Sequence, residues 1–193
     1  MKKTIFITGA TSGIGKATAE IFAKQGHRLI ICGRRKEVLD NLQIQLSNFT
    51  DVYSLVFDVR NQQEVQNAIN SLPEDWKNID VLVNNAGNAH GLEPISDANI
   101  SDWDAMMDGN VKGLLYVSQP IIKLMKANNS GHIVNISSVA ARQTYANGTV
   151  YCASKKAVDV ISEGMRLELT EFGIKVTNVQ PGAVETDFSK VRF

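Results

Sequence analysis

Six short stretches dense in Val and Ile, each separated from the next by a longer stretch of helical period, constrain this chain more than any other feature. The strand candidates cover residues 4–8, 28–32, 52–57, 80–84, 132–137 and 175–180, with cores such as LII, VLV, IVNI and VTNV. Near-continuous apolar strands suit a parallel sheet whose two faces are both shielded from water. Helical patterns fill 15–25, 36–46, 62–72, roughly 100–126, and 150–172. The last places Ala157, Val160, Ile161, Met165, Leu167 and Leu169 on one broad apolar face. Repeated strand–helix units joined by short loops predict an α/β fold with a doubly wound parallel sheet. At 193 residues, with no linker or repeat, the chain reads as one domain spanning 1–193.

Composition removes several classes of function. Twenty Lys and Arg balance twenty Asp and Glu. That leaves no cationic excess to drive binding to nucleic acid or to an anionic membrane surface. No apolar run approaches the roughly eighteen residues that span a bilayer. After Met1-Lys2-Lys3, only Ile5-Phe6-Ile7 precedes the polar Thr8, too short for the core of a secretory signal. Cys32 and Cys152 are far apart and form no CxxC pair, which suits a reducing cytoplasm. The three histidines have no ligand spacing, so no metal is expected.

The first strand runs into Gly9-Ala10-Thr11-Ser12-Gly13-Ile14-Gly15 and then a helix. A strand entering a glycine-rich turn that opens a helix is the setting for dinucleotide binding. The spacing is G-x-x-x-G-x-G, where the commoner fingerprint is G-x-G-x-x-G. Its physics is the same: glycines allow close backbone approach, and N–H groups at the helix start meet pyrophosphate. A plain β–α turn needs glycine for geometry alone, and three glycines with Thr and Ser between them exceed that need.

At the end of the second strand, an NAD site usually carries an acidic residue for the ribose 2′-hydroxyl. Here Gly33 stands in that place, followed by Arg34 and Arg35. Two guanidiniums can clamp a 2′-phosphate through charge-assisted hydrogen bonds. The competing reading is a solvated arginine pair at a helix entry. The expected cofactor is NADP (NADPH).

Tyr151 and Lys155 lie four apart at the start of the last helix and so share a face. Ser138 ends the fifth strand a short loop upstream. In a parallel sheet, C-terminal strand ends line the ligand crevice, where these three can converge. A phenol with a pKa of about 10 is a poor base at neutral pH. A neighbouring ammonium favours its phenolate. Ser138 would then hold a substrate oxygen as charge develops on it, while Tyr151 exchanges a proton with that oxygen.

Thr8-Gly9-x-x-x-Gly13-Ile14-Gly15, Asn84-Asn85-Ala86-Gly87, Ser138, Tyr151-x-x-x-Lys155 and Pro181-Gly182 together resemble the short-chain dehydrogenase/reductase family. The resemblance implies a three-layer α/β/α Rossmann fold and an enzyme that interconverts an alcohol and a carbonyl. It implies Tyr151 as acid/base, Lys155 as its modulator and ribose ligand, and Ser138 as the group orienting substrate. It further implies that Asn110 positions a water in the proton relay, and that Asp58 and Val59 contact adenine. Asn85, Ala86 and Gly87 would lie beside the cofactor, with Pro181, Gly182, Val184 and Thr186 near the carboxamide. Cofactor contacts are also expected at Gly9, Thr11, Ser12, Gly13, Ile14 and Gly15.

Longer strings, among them residues 91–117 and the tail VETDFSKVRF, resemble the subgroup of NADP-dependent 3-hydroxy acid dehydrogenases acting on serine, allo-threonine or 3-hydroxypropionate-type substrates. Such substrates carry a carboxylate, for which Arg142 and Arg192 are candidate partners. Each competes with a surface or inter-subunit role. Other carbonyl classes (3-ketoacyl, sugar, steroid) keep the same chemistry, and a non-catalytic nucleotide sensor is the reading from another class. The resemblance also implies a homodimer or homotetramer. Because the family continues into a substrate lid and a seventh strand, the chain is expected to be truncated before that strand, and so poorly stable and weakly active.

Overall fold

In the computed structural model of the chain, residues 2–186 and 188 are described. Six strands form one parallel sheet: β1 (Thr4–Ile7), β2 (Arg28–Gly33), β3 (Val52–Val56), β4 (Val81–Asn84), β5 (Gly131–Ile136) and β6 (Ile174–Val179). Their order is β3-β2-β1-β4-β5-β6. The chain therefore winds outward from β1 in one direction, then returns to its other side. Between β1 and β4 the connections leave toward opposite edges, and this opens the crevice that such sheets use for ligands.

Each strand is apolar on both faces because each face is covered. Phe6, Ile30, Leu82 and Ile133 point into a core closed by helices α3 (Gln62–Asn70), α5 (Gly113–Ala127) and α6 (Thr149–Leu169). Their neighbours Ile5, Ile7, Leu29, Ile31 and Val83 point the other way, against α1 (Gly13–Lys24) and α2 (Lys36–Leu46). The period of two along a strand is thus hidden in the sequence by burial on both sides. Burying a side chain such as Phe6 or Ile30 fully contributes about 1.5–3 kcal/mol, which makes this sheet a rigid base for loops at its C-terminal edge.

Besides shifts of one or two residues at element ends, two helices differ in kind from the sequence reading. The stretch expected as one helix over 100–126 is α4 (Ile100–Met107), a π-helical turn (Asp108–Lys112), and then α5. The helix expected to reach residue 172 ends at Leu169 and tightens into a 3-10 turn, Thr170–Phe172. Left-handed Gly173 follows, at φ 65°, and turns the chain into β6.

Candidate active site

The glycine-rich turn is built by close backbone contact. Gly9 has φ +63°, and a Cβ there would lie 2.9 Å from Ala86 Cα. Any side chain at position 9 would therefore push the β4 loop away. Thr8 ties the same two segments, its Oγ1 accepting from Asn85 N and Ala86 N, both at 2.9 Å. Helix α1 starts at Gly13 with no side-chain cap and no acidic residue in its first turn. By contrast, Asn61 caps α3 by accepting from Gln63 N and Glu64 N. The first N–H groups of α1 and the positive end of its dipole are thus left for an anion.

A cleft of about 1030 Å³ begins at this turn and runs along the C-terminal edge of the sheet. That is at the upper limit of the roughly 300–1,000 Å³ of ligand pockets, which suits a ligand as large as a dinucleotide. Its far side near α2 carries Arg34 and Arg35. Arg35 Nη2 donates to Thr11 Oγ1 at 3.0 Å. Arg34 Nη1 stands 3.7 Å from Asp58 Oδ2. Arg60 grips the same carboxylate through Nε at 3.0 Å and Nη2 at 2.6 Å. Partial burial works against charge on Asp58, but the Arg60 hydrogen bonds and the Arg60 and Arg34 charges outweigh it and hold the carboxyl below its usual range. The sequence reading missed Arg60, although it sits only two residues past Asp58.

At the other end, β5 runs into Ser138, which caps a 3-10 turn (Val139–Ala141) by accepting from Ala140 N at 3.1 Å. Helix α6 brings Tyr151 and Lys155 to the same wall, each largely buried. Lys155 Nζ donates to Ile136 O at 3.0 Å and lies 5.9 Å from the centre of the Tyr151 ring. Burial pulls the Lys155 ammonium down from 10.5 to about 8. It stays largely protonated at neutral pH, yet it is poised to respond to a nearby negative charge.

Gly9, Thr11, Ser12, Gly13, Ile14, Asp58, Val59, Asn85, Ala86 and Gly87 line this cleft together with the arginine pair and Ser138, Tyr151 and Lys155. Pro181, Gly182, Val184 and Thr186 line it as well, with Thr186 3.3 Å from where a Cβ on Gly13 would lie. Three expected residues lie elsewhere. Gly15 is buried behind the turn, where a Cβ would collide with Gly9 O and Asn85 Nδ2, so its part is helix-to-turn packing. Asn110 is buried behind the wall: Nδ2 donates to Asn88 O at 2.9 Å and Ser154 Oγ at 3.0 Å, and Oδ1 accepts from Asn88 N at 2.7 Å. Its side chain is consumed in shaping the loop after β4. Arg142 is exposed at the end of the 3-10 turn and does not line the cleft, so the carboxylate role expected for it is not supported. Arg192 lies outside the described residues. Among the described residues, no cluster of His, Cys, Asp and Glu is arranged to hold a metal.

Comparison with known proteins adds an independent line. The family model for short chain dehydrogenases matches residues 3–193. The NADP-dependent 3-hydroxy acid dehydrogenase YdfG of Escherichia coli K12 is 43% identical over 190 residues, covering 98% of this chain and 76% of that protein. Sulfoacetaldehyde reductase 2 of Chromohalobacter salexigens is 42% identical, covering all of this chain and 77% of its own. Among solved structures, the closed form of a serine dehydrogenase complexed with NADP+ superposes with a TM-score of 0.93 at 42% identity, covering 98% of this chain and 76% of that one.

Proposed function

The chain belongs to the short-chain dehydrogenase family, and from that premise we propose an NADP-dependent oxidoreductase that interconverts small 3-hydroxy acids and their carbonyl counterparts. What supports it most is the burial of the Lys155 ammonium one helical turn from Tyr151, in the same cleft that begins at the uncapped start of α1.

NADP fits the residues present. The α1 N–H groups would take the pyrophosphate, Arg34 and Arg35 the 2′-phosphate, Asp58 the adenine amino group, and Lys155 the nicotinamide ribose. When bound, the nicotinamide supplies the acceptor or donor of a hydride. The chain's own groups handle the proton and the oxygen. Tyr151 takes the proton from the substrate hydroxyl, or returns it to the carbonyl oxygen, with the Lys155 charge stabilising the phenolate. Ser138 donates a hydrogen bond to that oxygen as it gains charge.

A screen of NADP+ reduction with serine, allo-threonine, 3-hydroxypropionate, 3-hydroxyisobutyrate and a secondary sugar alcohol tests the substrate class. Turnover of the 3-hydroxy acids is expected; turnover of the sugar alcohol alone overturns the proposal. A second reading, reduction of an aldehyde bearing a sulfonate, draws on the 42% identity to a sulfoacetaldehyde reductase. Adding sulfoacetaldehyde with NADPH to the same screen separates the two. Tyr151→Phe should abolish turnover on any of these substrates while NADPH still binds, and surviving activity would remove Tyr151 from its role.

We further propose that cofactor and catalytic residues act within a single unit, and that the chain self-associates as a homodimer or homotetramer. Exposed apolar side chains on the outer faces of α5 and α6, among them Leu115, Val160 and Leu167, support self-association, and sedimentation velocity tests it. Two buried free thiols, Cys32 and Cys152, and no membrane-crossing helix among the described residues are consistent with a cytoplasmic setting.

A further inference from the structure

On α6, four residues past Lys155, Asp159 turns its carboxylate toward the ends of two strands. Its Oδ1 accepts from Ser137 Oγ at 2.8 Å and from Asn178 Nδ2 at 2.7 Å, and its Oδ2 accepts from Gln180 Nε2 at 2.7 Å. Ser137 immediately precedes Ser138. Gln180 immediately precedes Pro181 and Gly182. Ser137 Oγ also lies 3.1 Å from Lys155 O. One carboxylate therefore touches all three segments that carry the site, although Asp159 itself does not line the cleft. Partial burial opposes its charge, but the hydrogen bonds from Asn178, Gln180 and Ser137, with the Lys156 charge, keep the carboxyl below its usual range.

The placement of α6 depends on where it is held. Lys155 Nζ to Ile136 O, Asn135 Nδ2 to Ser162 Oγ and Arg166 Nε to Val176 O hold it against β5 and β6 along its length. Backbone bonds from Ser137 N to Val179 O and from Val139 N to Pro181 O register β5 with β6, but they say nothing about the helix. Asp159, one turn past Lys155, adds a carboxylate that reaches the residues just after both β5 and β6.

We propose that Asp159 is a positioning residue for the reaction, setting the separation between Ser138 and the Tyr151–Lys155 pair and registering the Pro181–Gly182 turn against both. It touches neither substrate nor cofactor, and its role rests on the reading of Ser138, Tyr151 and Lys155 given above.

The two carboxylate oxygens have separate partners, so the test can be specific. Asp159→Asn keeps an acceptor for Ser137 and Asn178 but loses the charge-assisted bond to Gln180, which can meet the new Nδ2 only by turning its own amide over. Gln180→Ala removes the same bond from the strand side, without touching the helix. Combining Asp159→Asn with Gln180→Glu re-forms the bond with donor and acceptor exchanged. Misplacement of reacting groups by about 1 Å costs up to ~100-fold in rate. For carbonyl reduction we expect kcat to fall by about tenfold or more in Asp159→Asn and measurably in Gln180→Ala. The deuterium isotope effect with NADPH labelled at C4 should rise as hydride transfer becomes more limiting. The Kd for NADPH, read by fluorescence, should stay within about twofold, and the exchanged pair should recover most of the rate. Unchanged kcat and isotope effect in both single variants, with only the melting temperature lowered, make Asp159 a strut and overturn the proposal. So does an exchanged pair that regains stability without regaining rate. Should Asp159→Asn fail to fold, Gln180→Ala decides alone. Activity surviving in Tyr151→Phe would instead remove the site reading, a result separable from any of these.

Discussion

Lys155 carries a cost that its surroundings do not relieve. Its ammonium is buried, its one hydrogen bond among the described residues is to Ile136 O, and burial accounts for the fall of its pKa from 10.5 to about 8. At about 1.4 kcal/mol per tenfold change in proton affinity, that is about 3 kcal/mol against the folded state. Below pH 8 the lysine is protonated whether the chain is folded or not, so the full cost is present. Between pH 8 and 10.5 the folded protein releases the proton while the unfolded chain keeps it, and stability contributed by this group rises with pH. Lys155→Met should therefore melt several degrees higher than the parent at pH 7, after about 1 kcal/mol is given back for the lost hydrogen bond. The gap should close as pH approaches 10.5. Thermal melts from pH 6 to 10.5 check this, and a pH-independent gap would contradict the burial account. Tyr151, Lys155 and Ser138 were legible in sequence because their relation is local: a helical turn, and a strand end close upstream. Asp159 was not, since Asn178 and Gln180 reach it only after the chain has crossed back through β6.

Between α4 and α5 the sequence pattern conceals a break. Met106, Leu114, Val117, Ile121 and Met125 keep an apolar face across residues 100–126, so a periodic reading passes through the π turn at 108–112 without noticing it. One extra residue in a turn is a small phase error in a pattern, yet it swings Gly109 and Asn110 under the loop after β4. A Cβ on Gly109 would sit 2.9 Å from Asn88 Nδ2. Asn110 takes both the N–H and the C=O of Asn88. Among the described residues, Asn88 Oδ1 is itself buried without a partner. Asn110→Ala should cost about 2–3 kcal/mol through two stranded backbone groups. Hydrogen exchange at the Asn88 amide should accelerate well beyond that of β4. Unaltered exchange there would mean that water or a neighbour takes over the bonds. The elements themselves were easier to read: α2 falls on the expected residues, and strand ends moved by about one residue, the usual fraying of such boundaries. The 3-10 turn after Ser138 escaped notice because Val139-Ala140-Ala141 has no polar signal of its own.

Across the whole molecule, the cleft lies on the C-terminal edge of one sheet and takes lining residues from segments following β1 through β6. A ligand filling it therefore bridges parts of the fold that otherwise communicate only through the core. Binding to the folded state alone raises stability by about 2.7 kcal/mol at a ligand concentration one hundred times Kd. For a chain of this size that is on the order of 5–10 °C in melting temperature. NADP+ should give such a shift, and NAD+ at equal concentration a clearly smaller one. The difference has a local origin in Arg34 and Arg35, whose side chains, among the described residues, meet Asp58 at 3.7 Å and Thr11. The 2′-phosphate offers them a doubly charged partner in place of these weak, exposed contacts. Replacing both arginines with alanine should erase the NADP+ advantage and leave the smaller NAD+ shift nearly intact, because the α1 N–H groups that meet the pyrophosphate are untouched. Differential scanning fluorimetry across a titration of each cofactor reads both numbers. If the two shifts fell together, the arginines would be supporting the turn through Thr11 instead of selecting the phosphate, and the specificity would have to come from elsewhere along the cleft.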